Sequence, residues 1–247
     1  LPNDTDLTVL REQGDIPGYN FAFIDDHFDY HTATDTPKNL DKETLAHQGS
    51  YLMSLLDYFK DVDLDEVDAE EEVLFFNIPG GEIISYPFSW IFPMLILAFV
   101  LFFILLGYGF SKDRFQLKEI LKSIIPFIVS LAFSGLLVFL LWKFLLYSYP
   151  EYSEMEQGFT YNGYYYIAAF VSLSFLISFF TYFRFRHIEN KANLFLVPLF
   201  FWLLLCALLA FFLKGAAYFI IPGFFGLLQL FIMMRQESPN SLLMAFL

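Results

Sequence analysis

From Phe88 onward the chain is nearly continuous apolar sequence, and no other feature limits its fold so severely. Segments 88–109, 124–147, 164–183, 194–213 and 216–234 each approach the ~20 residues that a membrane-spanning helix needs. The stretch 194–234 is long enough for two spans, and Lys214-Gly215 is the natural place for it to turn. The composition agrees: 57% of residues are hydrophobic, and 34 are Phe. A chain of this kind is expected to be an integral membrane protein with an all-α multi-span region of about five helices.

The short connections between the apolar segments differ in sign. Lys112, Arg114, Lys118 and Lys122 follow the first segment, Arg184, Arg186 and Lys191 follow the third, and Arg235 follows the fifth. The intervening connection YPEYSEMEQG holds acids and no basic residue. Lys and Arg concentrate in cytoplasmic loops, so the basic connections are expected to be cytoplasmic. The acidic connection and everything before Phe88 then lie outside the cell or in a lumen. Within 112–123, Phe115, Ile120 and Leu121 alternate with basic residues, which predicts a segment lying along the inner surface. Lys143 and Lys214, near span ends, are expected to snorkel to the interface. The spans hold almost no acid, which argues against an ion pathway or a carrier.

Residues 1–87 are different material, polar and mixed. LTVL (7–10) and NFAFI (20–24) have the look of short buried strands, with the turn residues of GDIPG between them. Asp41 is a suitable N-cap for a helix running through Phe59. Leu45, Leu52, Leu55, Leu56 and Phe59 recur on one face of that helix and are expected to pack on a sheet. One helix and a few strands cannot bury a core alone, so the chain is expected to be a piece of a longer one. DVDLDEVDAEEE (61–72) places Asp61, Asp63, Asp65 and Glu72 at positions 1, 3, 5 and 12 of a calcium-loop pattern. Glu66 stands where that loop needs Gly, so the segment reads as a solvated acidic linker. VLFFN (73–77) and EIISY (82–86) predict a hairpin around IPGG.

Charge and cysteine usage exclude whole classes of function. Lys+Arg number 14 against 27 Asp+Glu, a net charge of −13, which leaves no basic surface for a nucleic acid. The single Cys206, inside an apolar run, excludes an intrachain disulfide framework and a cysteine-based zinc finger. Of the four histidines, His47 falls in the expected helix and His187 among basic loop residues. His27 and His31 have the four-residue spacing of an H-E-x-x-H zinc helix, but Phe28 stands in place of its general-base Glu. His31 is the histidine in a polar turn, within FDYHTATDTPKNLD. Its neighbours Asp29 and Asp35 are carboxylates able to take the second nitrogen of a metal-bound imidazole.

In order along the chain, TDLTVL, GDIPGYNFAF, YHTATDTPKNLD and TLAHQGSYLMSLL resemble the closing part of the M28 zinc peptidase domain. The likeness covers residues 5 to 59. The passage EEVLFFNIPGGEIISYP, leading into the spans, is similar to the junction in the membrane-bound branch, the endoplasmic reticulum metallopeptidase and vacuolar membrane protease group. The resemblance implies an α/β C-terminal portion of a zinc-peptidase domain at residues 1–60, an acidic linker and hairpin at 61–87, and a transmembrane region at 88–247. It implies a membrane-anchored, zinc-dependent exopeptidase of aminopeptidase type, hydrolysing peptides on the extracytoplasmic or lumenal side. His31 would be the last ligand of a two-zinc site. Asp35, Asp29 and Thr32 would fix the loop or support the ligand, and Asp6 would cap a turn. Tyr30 would lie near the substrate or pack inward. The general-base Glu and the other zinc ligands would come from an upstream part of the domain, so the piece by itself would be inactive. A peptide substrate and the lipid membrane are the implied partners. The alternative is a catalytically inactive peptidase-fold membrane protein that acts in ligand binding or assembly. Glutaminyl-cyclase-like chemistry on the same scaffold is a further reading.

Overall fold

The computed structural model describes residues 5–16, 18–21, 28–30, 33–63, 72–78, 80–155, 158–185 and 191–236. The chain forms two compact units, Leu1–Glu70 and Glu71–Leu247.

The first unit contains helix α1 (Asp6–Gly14) and helix α2 (Lys42–Phe59). Residues 7–10 are therefore helical, not the strand that their apolar run predicts. A run of four apolar residues does not separate strand from helix, and the flanking residues decide the matter. Thr5 caps α1, its backbone N–H donating to the Thr8 hydroxyl at 3.1 Å. Asp6 occupies the first turn, where the helix dipole favours an acid, so Asp6 follows the cap and Thr5 is the cap itself. Asp15, at φ 51°, ends the helix in the left-handed region. No residue of α1 is buried.

Helix α2 begins as expected, with both Asp41 carboxylate oxygens accepting backbone N–H groups, from Glu43 at 2.9 Å and Thr44 at 3.3 Å. Its apolar face differs from expectation. Leu45, Leu52 and Leu56 are more than half exposed, and the described residues of this unit include no strand. The contacts of α2 are aromatic instead, with Tyr19 and Phe21 against Phe59 and Tyr51. Residues 22–24 of the second expected strand, and residues 64–71 of the acidic linker, lie outside the described residues.

The second unit opens with the hairpin, strands β1 (Val73–Asn77) and β2 (Ile83–Pro87), paired antiparallel with Leu74 opposite Tyr86 and Phe76 opposite Ile84. Its turn uses Gly80 and Gly81 at φ 113° and 90°, a conformation that only glycine adopts without strain. A 3₁₀ turn at Phe88–Trp90 leads into α3 (Ile91–Ser111). It is followed by α4 (Leu117–Ser148), α5 (Gly163–Arg184), α6 (Lys191–Phe212), a 3₁₀ segment at Lys214–Phe219 and α7 (Ile220–Arg235). Counting the adjoining 3₁₀ turns, five helices are long and apolar enough to cross a membrane. The turn between the last two falls at Lys214, as the sequence predicts.

The core lies among α3, α6 and α7, where Ala98, Leu203 and Leu230 are fully enclosed together with Phe102, Cys206 and Met234. The hairpin belongs to this core: Leu74 is 2% exposed, and Phe76 stacks on Tyr218 with ring centroids 5.4 Å apart. Trp202 Nε1 donates to the Phe219 carbonyl at 3.0 Å, and the Cys206 thiol reaches the same oxygen at 3.4 Å. These two donors pin the α6–α7 turn. Helix α4 packs against α5 and α6, and α5 stands at the edge, with only Gly163 and Ile177 buried.

Residues 117–123 are the first turns of α4 and not a separate surface segment. At 32 residues α4 is about 48 Å long, against about 30 Å of hydrocarbon. Continuing a helix already begun costs little per residue, and the first turns carry their own support. Ser123 Oγ donates to the Glu119 carbonyl at 2.8 Å, and Lys122 pairs with Glu119 at 3.3 Å. Before them, Phe115 is buried against Gly109, and Gln116 N–H donates to the buried Asn193 Oδ1 at 3.4 Å. The α3–α4 connection is thereby fastened to the start of α6.

Candidate functional site

The loop ahead of α2 is built from aromatic side chains and one turn. Tyr19 lies 5.9 Å from Phe59, near the end of α2, and Phe21 lies 5.7 Å from Tyr51, about two turns nearer its start. His47 continues the row, 4.5 Å from Tyr51. Residues 19–21 therefore run along α2 toward its N-terminus. Asn20 also ties the segment back to α1, its Nδ2 donating to the Thr5 hydroxyl at 3.2 Å.

The other side of the loop is held by residues just ahead of α2. Asn39 N–H donates to the Thr36 carbonyl at 3.0 Å, and Asn39 Nδ2 donates to the Thr34 carbonyl at 2.9 Å. Two residues later Asp41 caps the helix and also accepts the Thr44 hydroxyl at 2.7 Å. The Thr44 hydroxyl and the Glu43 N–H hold the Asp41 carboxyl below its usual value of 3.8. The segment Thr34–Thr44 is thus a braced stem at the positive end of the α2 dipole.

Of the residues singled out by sequence, Asp35 belongs to this stem. Tyr30 is exposed, Asp29 is half-buried and Asp35 is exposed. His31 and Thr32 lie outside the described residues, as does His27. Among the described residues no group of three or more His, Cys, Asp or Glu side chains is placed to hold a metal ion. A zinc site takes four ligands, or three and a water. The described residues do not form such a site by themselves. The sequence reading missed Asn39 as the brace of the loop. Its position in PKNLD, two residues before a helix cap, is the signal of a side-chain-supported turn.

Residues 1–56 match the model of peptidase family M28. Endoplasmic reticulum metallopeptidase 1 of Rattus norvegicus is 32% identical over 108 residues, which are 41% of this chain and 12% of the relative. The Homo sapiens protein of the same name is 28% identical over 120 residues, 46% of this chain and 13% of the relative. A vacuolar membrane protease of Debaryomyces hansenii is 33% identical over 72 residues, 29% of this chain and 7% of the relative. The chain thus spans about an eighth or less of the length of these relatives. No solved structure matches it. The resemblance to the membrane-bound branch of the M28 peptidases is met by both the family match and the named relatives.

Proposed function

From the match of residues 1–56 to peptidase family M28, we propose that this chain carries the end of a peptidase domain and the following membrane region of a zinc-dependent exopeptidase of aminopeptidase type. The single observation that carries the reading is that this match is followed along the chain by a hairpin and five helices fit to span a membrane. Relatives named for a metallopeptidase of the endoplasmic reticulum and a protease of the vacuolar membrane support the same reading. In this proposal residues 1–60 close the peptidase domain, 61–87 link it to the membrane, and 88–247 anchor it.

Within the loop, His31 is the proposed zinc ligand, and Asp29 or Asp35 the carboxylate that orients its imidazole. Thr32 supports the loop in this proposal, and Tyr30, which is exposed, is the candidate for substrate contact. Asn39 and Asp41 brace the segment Thr34–Thr44 at the start of α2. A bound zinc would supply a Lewis acid for the scissile carbonyl and acidify a water. The remaining ligands and the general base belong to parts of the protein other than the described residues. The exposed leucines of α2 are consistent with that, since an amphipathic helix of a folded domain normally buries such a face. The domain is proposed to lie on the lumenal or extracytoplasmic side, because the basic connections gather at the opposite end of the bundle.

Zinc content of the intact protein tests the proposal. Wild type is expected to hold about two zinc ions per chain and to release amino-terminal residues from peptides. His31→Ala is expected to lose at least one ion and the activity. A His31→Ala protein with unchanged zinc and unchanged hydrolysis would refute the assignment of His31. A wild type with no zinc would refute the peptidase reading itself.

A further inference from the structure

The hairpin that opens the second unit has one buried face and one open face. Leu74 and Phe76 turn into the core of the bundle. On the opposite face Val73, Phe75 and Asn77 of β1 stand across from Pro87, Ser85 and Ile83 of β2. Phe75 and Ile83 are each 67% exposed. Between Val73 and Trp90 the sole charged residue is Glu82. An exposed apolar face on an element held in place marks a surface that meets a partner or a membrane.

Heights along the helices distinguish the two. Arg235 closes α7, with its guanidinium 6.0 Å from the ring centre of Tyr108 on α3. A guanidinium stays out of hydrocarbon. The hydrocarbon layer therefore begins at this level or nearer the hairpin, and its far boundary lies at least about 30 Å away. Along α3, Tyr108 to Ile91 is 17 residues, about 26 Å, and one 3₁₀ turn separates Ile91 from the hairpin. Helix α7 has 16 residues, about 24 Å, and Tyr218, on which Phe76 stacks, stands two residues before its start. Along α6, Trp202 and Cys206 lie 11 and 15 residues from Lys191, about 17 and 23 Å, and both reach the Phe219 carbonyl. Tilt of the spans shortens every one of these heights. Strand β1 thus stands at or just inside the far hydrocarbon boundary. Its outer face remains within the headgroup layer, which brings the bilayer to about 40–45 Å.

The edge of β2 sets the depth more closely. Phe88 N–H donates to the Glu72 carbonyl at 3.0 Å, and Ile78 N–H to the Glu82 carbonyl at 3.0 Å. The even-numbered residues therefore pair across the ladder, and Ile83 and Ser85 turn their backbone groups to the outer edge of a sheet of two strands. Such an edge cannot lie bare in hydrocarbon, whereas headgroups and their water satisfy it. An apolar face beside a polar edge fits the seam between headgroups and acyl chains. A protein partner arriving from water would have to displace headgroups to reach this level.

We propose that the β1–β2 hairpin is a membrane-inserted element. Phe75 and Ile83 enter the acyl chains of the glycerophospholipid leaflet opposite Arg235, and the edge of β2 lies among its headgroups. The chain then meets lipid at Val73, ahead of its first span. The inference is independent of the peptidase reading and needs only the membrane region.

The test is collision accessibility of a nitroxide on Phe75→Cys or Ile83→Cys in the intact protein, reconstituted in phosphatidylcholine vesicles, with the signal of the unsubstituted protein subtracted. Oxygen concentrates in lipid, and a neutral nickel chelate in water. Phe103→Cys, at an exposed position midway along α3, gives the lipid reference, and Glu151→Cys gives the aqueous one. Both substitutions in the hairpin replace exposed side chains and leave the contacts of Leu74 and Phe76 intact. Both labels are expected to show an oxygen-to-nickel ratio severalfold above that of Glu151→Cys. A ratio equal to that of Glu151→Cys overturns the proposal, since the face then lies in water. So does low access to both reagents, which would mean that protein covers the face.

Discussion

At Gly109 a single hydrogen atom in place of a methyl group decides a fit. A Cβ there would lie 2.2 Å from the Phe115 ring, and that ring is buried and flat, with no flexible end to move aside. The carbonyl of Gly109 also accepts from Arg114 N–H at 2.8 Å and Phe115 N–H at 3.2 Å. Gly109→Ala is expected to lower stability by about 1–3 kcal/mol, the usual cost of overpacking. Gly107→Ala, two residues away, meets nothing within 4 Å and is expected to be neutral. Thermal unfolding of both variants in one detergent compares them. At Tyr86 the opposite change is favourable. Its hydroxyl is buried with no hydrogen-bond partner among the described residues, and burial raises its pKa. A buried unpaired hydroxyl costs about 1–3 kcal/mol. Tyr86→Phe is therefore expected to leave the unfolding temperature unchanged or raise it, and a clear fall would reveal a partner for that hydroxyl.

At the scale of elements, α2 depends on its cap. Because the folded Asp41 carboxyl titrates below 3.8, its contribution is fully present above that value and is lost as pH falls through the folded value. Amide exchange at Glu43 and Thr44 is expected to accelerate on acidification below about pH 4, after correction for intrinsic rates. Asp41→Ala is expected to show fast exchange at neutral pH and no further change in acid. Acid sensitivity that survives in Asp41→Ala would place its origin elsewhere. The hairpin shows the opposite dependence, on tertiary contact more than on local signals. An isolated two-stranded hairpin is marginal in water, and this one is held by Leu74 within the core and Phe76 on Tyr218.

For the whole molecule, charge sets the orientation that is proposed. Seven described basic residues gather at one end of the bundle, and the connection holding Glu151 and Glu154 lies at the other. Lys112→Cys and Glu151→Cys are expected to react with an impermeant thiol reagent from opposite sides of a sealed vesicle, with Lys112→Cys on the cytoplasmic side. The native Cys206 is 2% exposed and stays silent. Labelling of both from one side would contradict the topology. The position of α5 at the edge, with two grooves beside it, makes it the span whose environment is most open to lipid.

The sequence by itself determined what depends on neighbours along the chain. Five apolar runs of spanning length, the Asp41 cap, the Lys214 turn, the paired strands around Gly80-Gly81 and the sign of each connection are local patterns, and each is legible for that reason. The loop of His31 was legible as a motif, because its residue order carries the family resemblance. Its coordination was not, because ligands converge from distant parts of a chain and no local spacing encodes them. The short run at 7–10 was misread as a strand, since four apolar residues fit either period and the Thr5 cap decided between them. Only the tertiary structure decided that α3, α6 and α7 form the core while α5 stands aside, that Phe115 fills the space over Gly109, and that the hairpin docks on Tyr218. Those outcomes rest on complementary shape between segments far apart in sequence, and apolar composition alone does not distinguish one Phe-rich helix face from another.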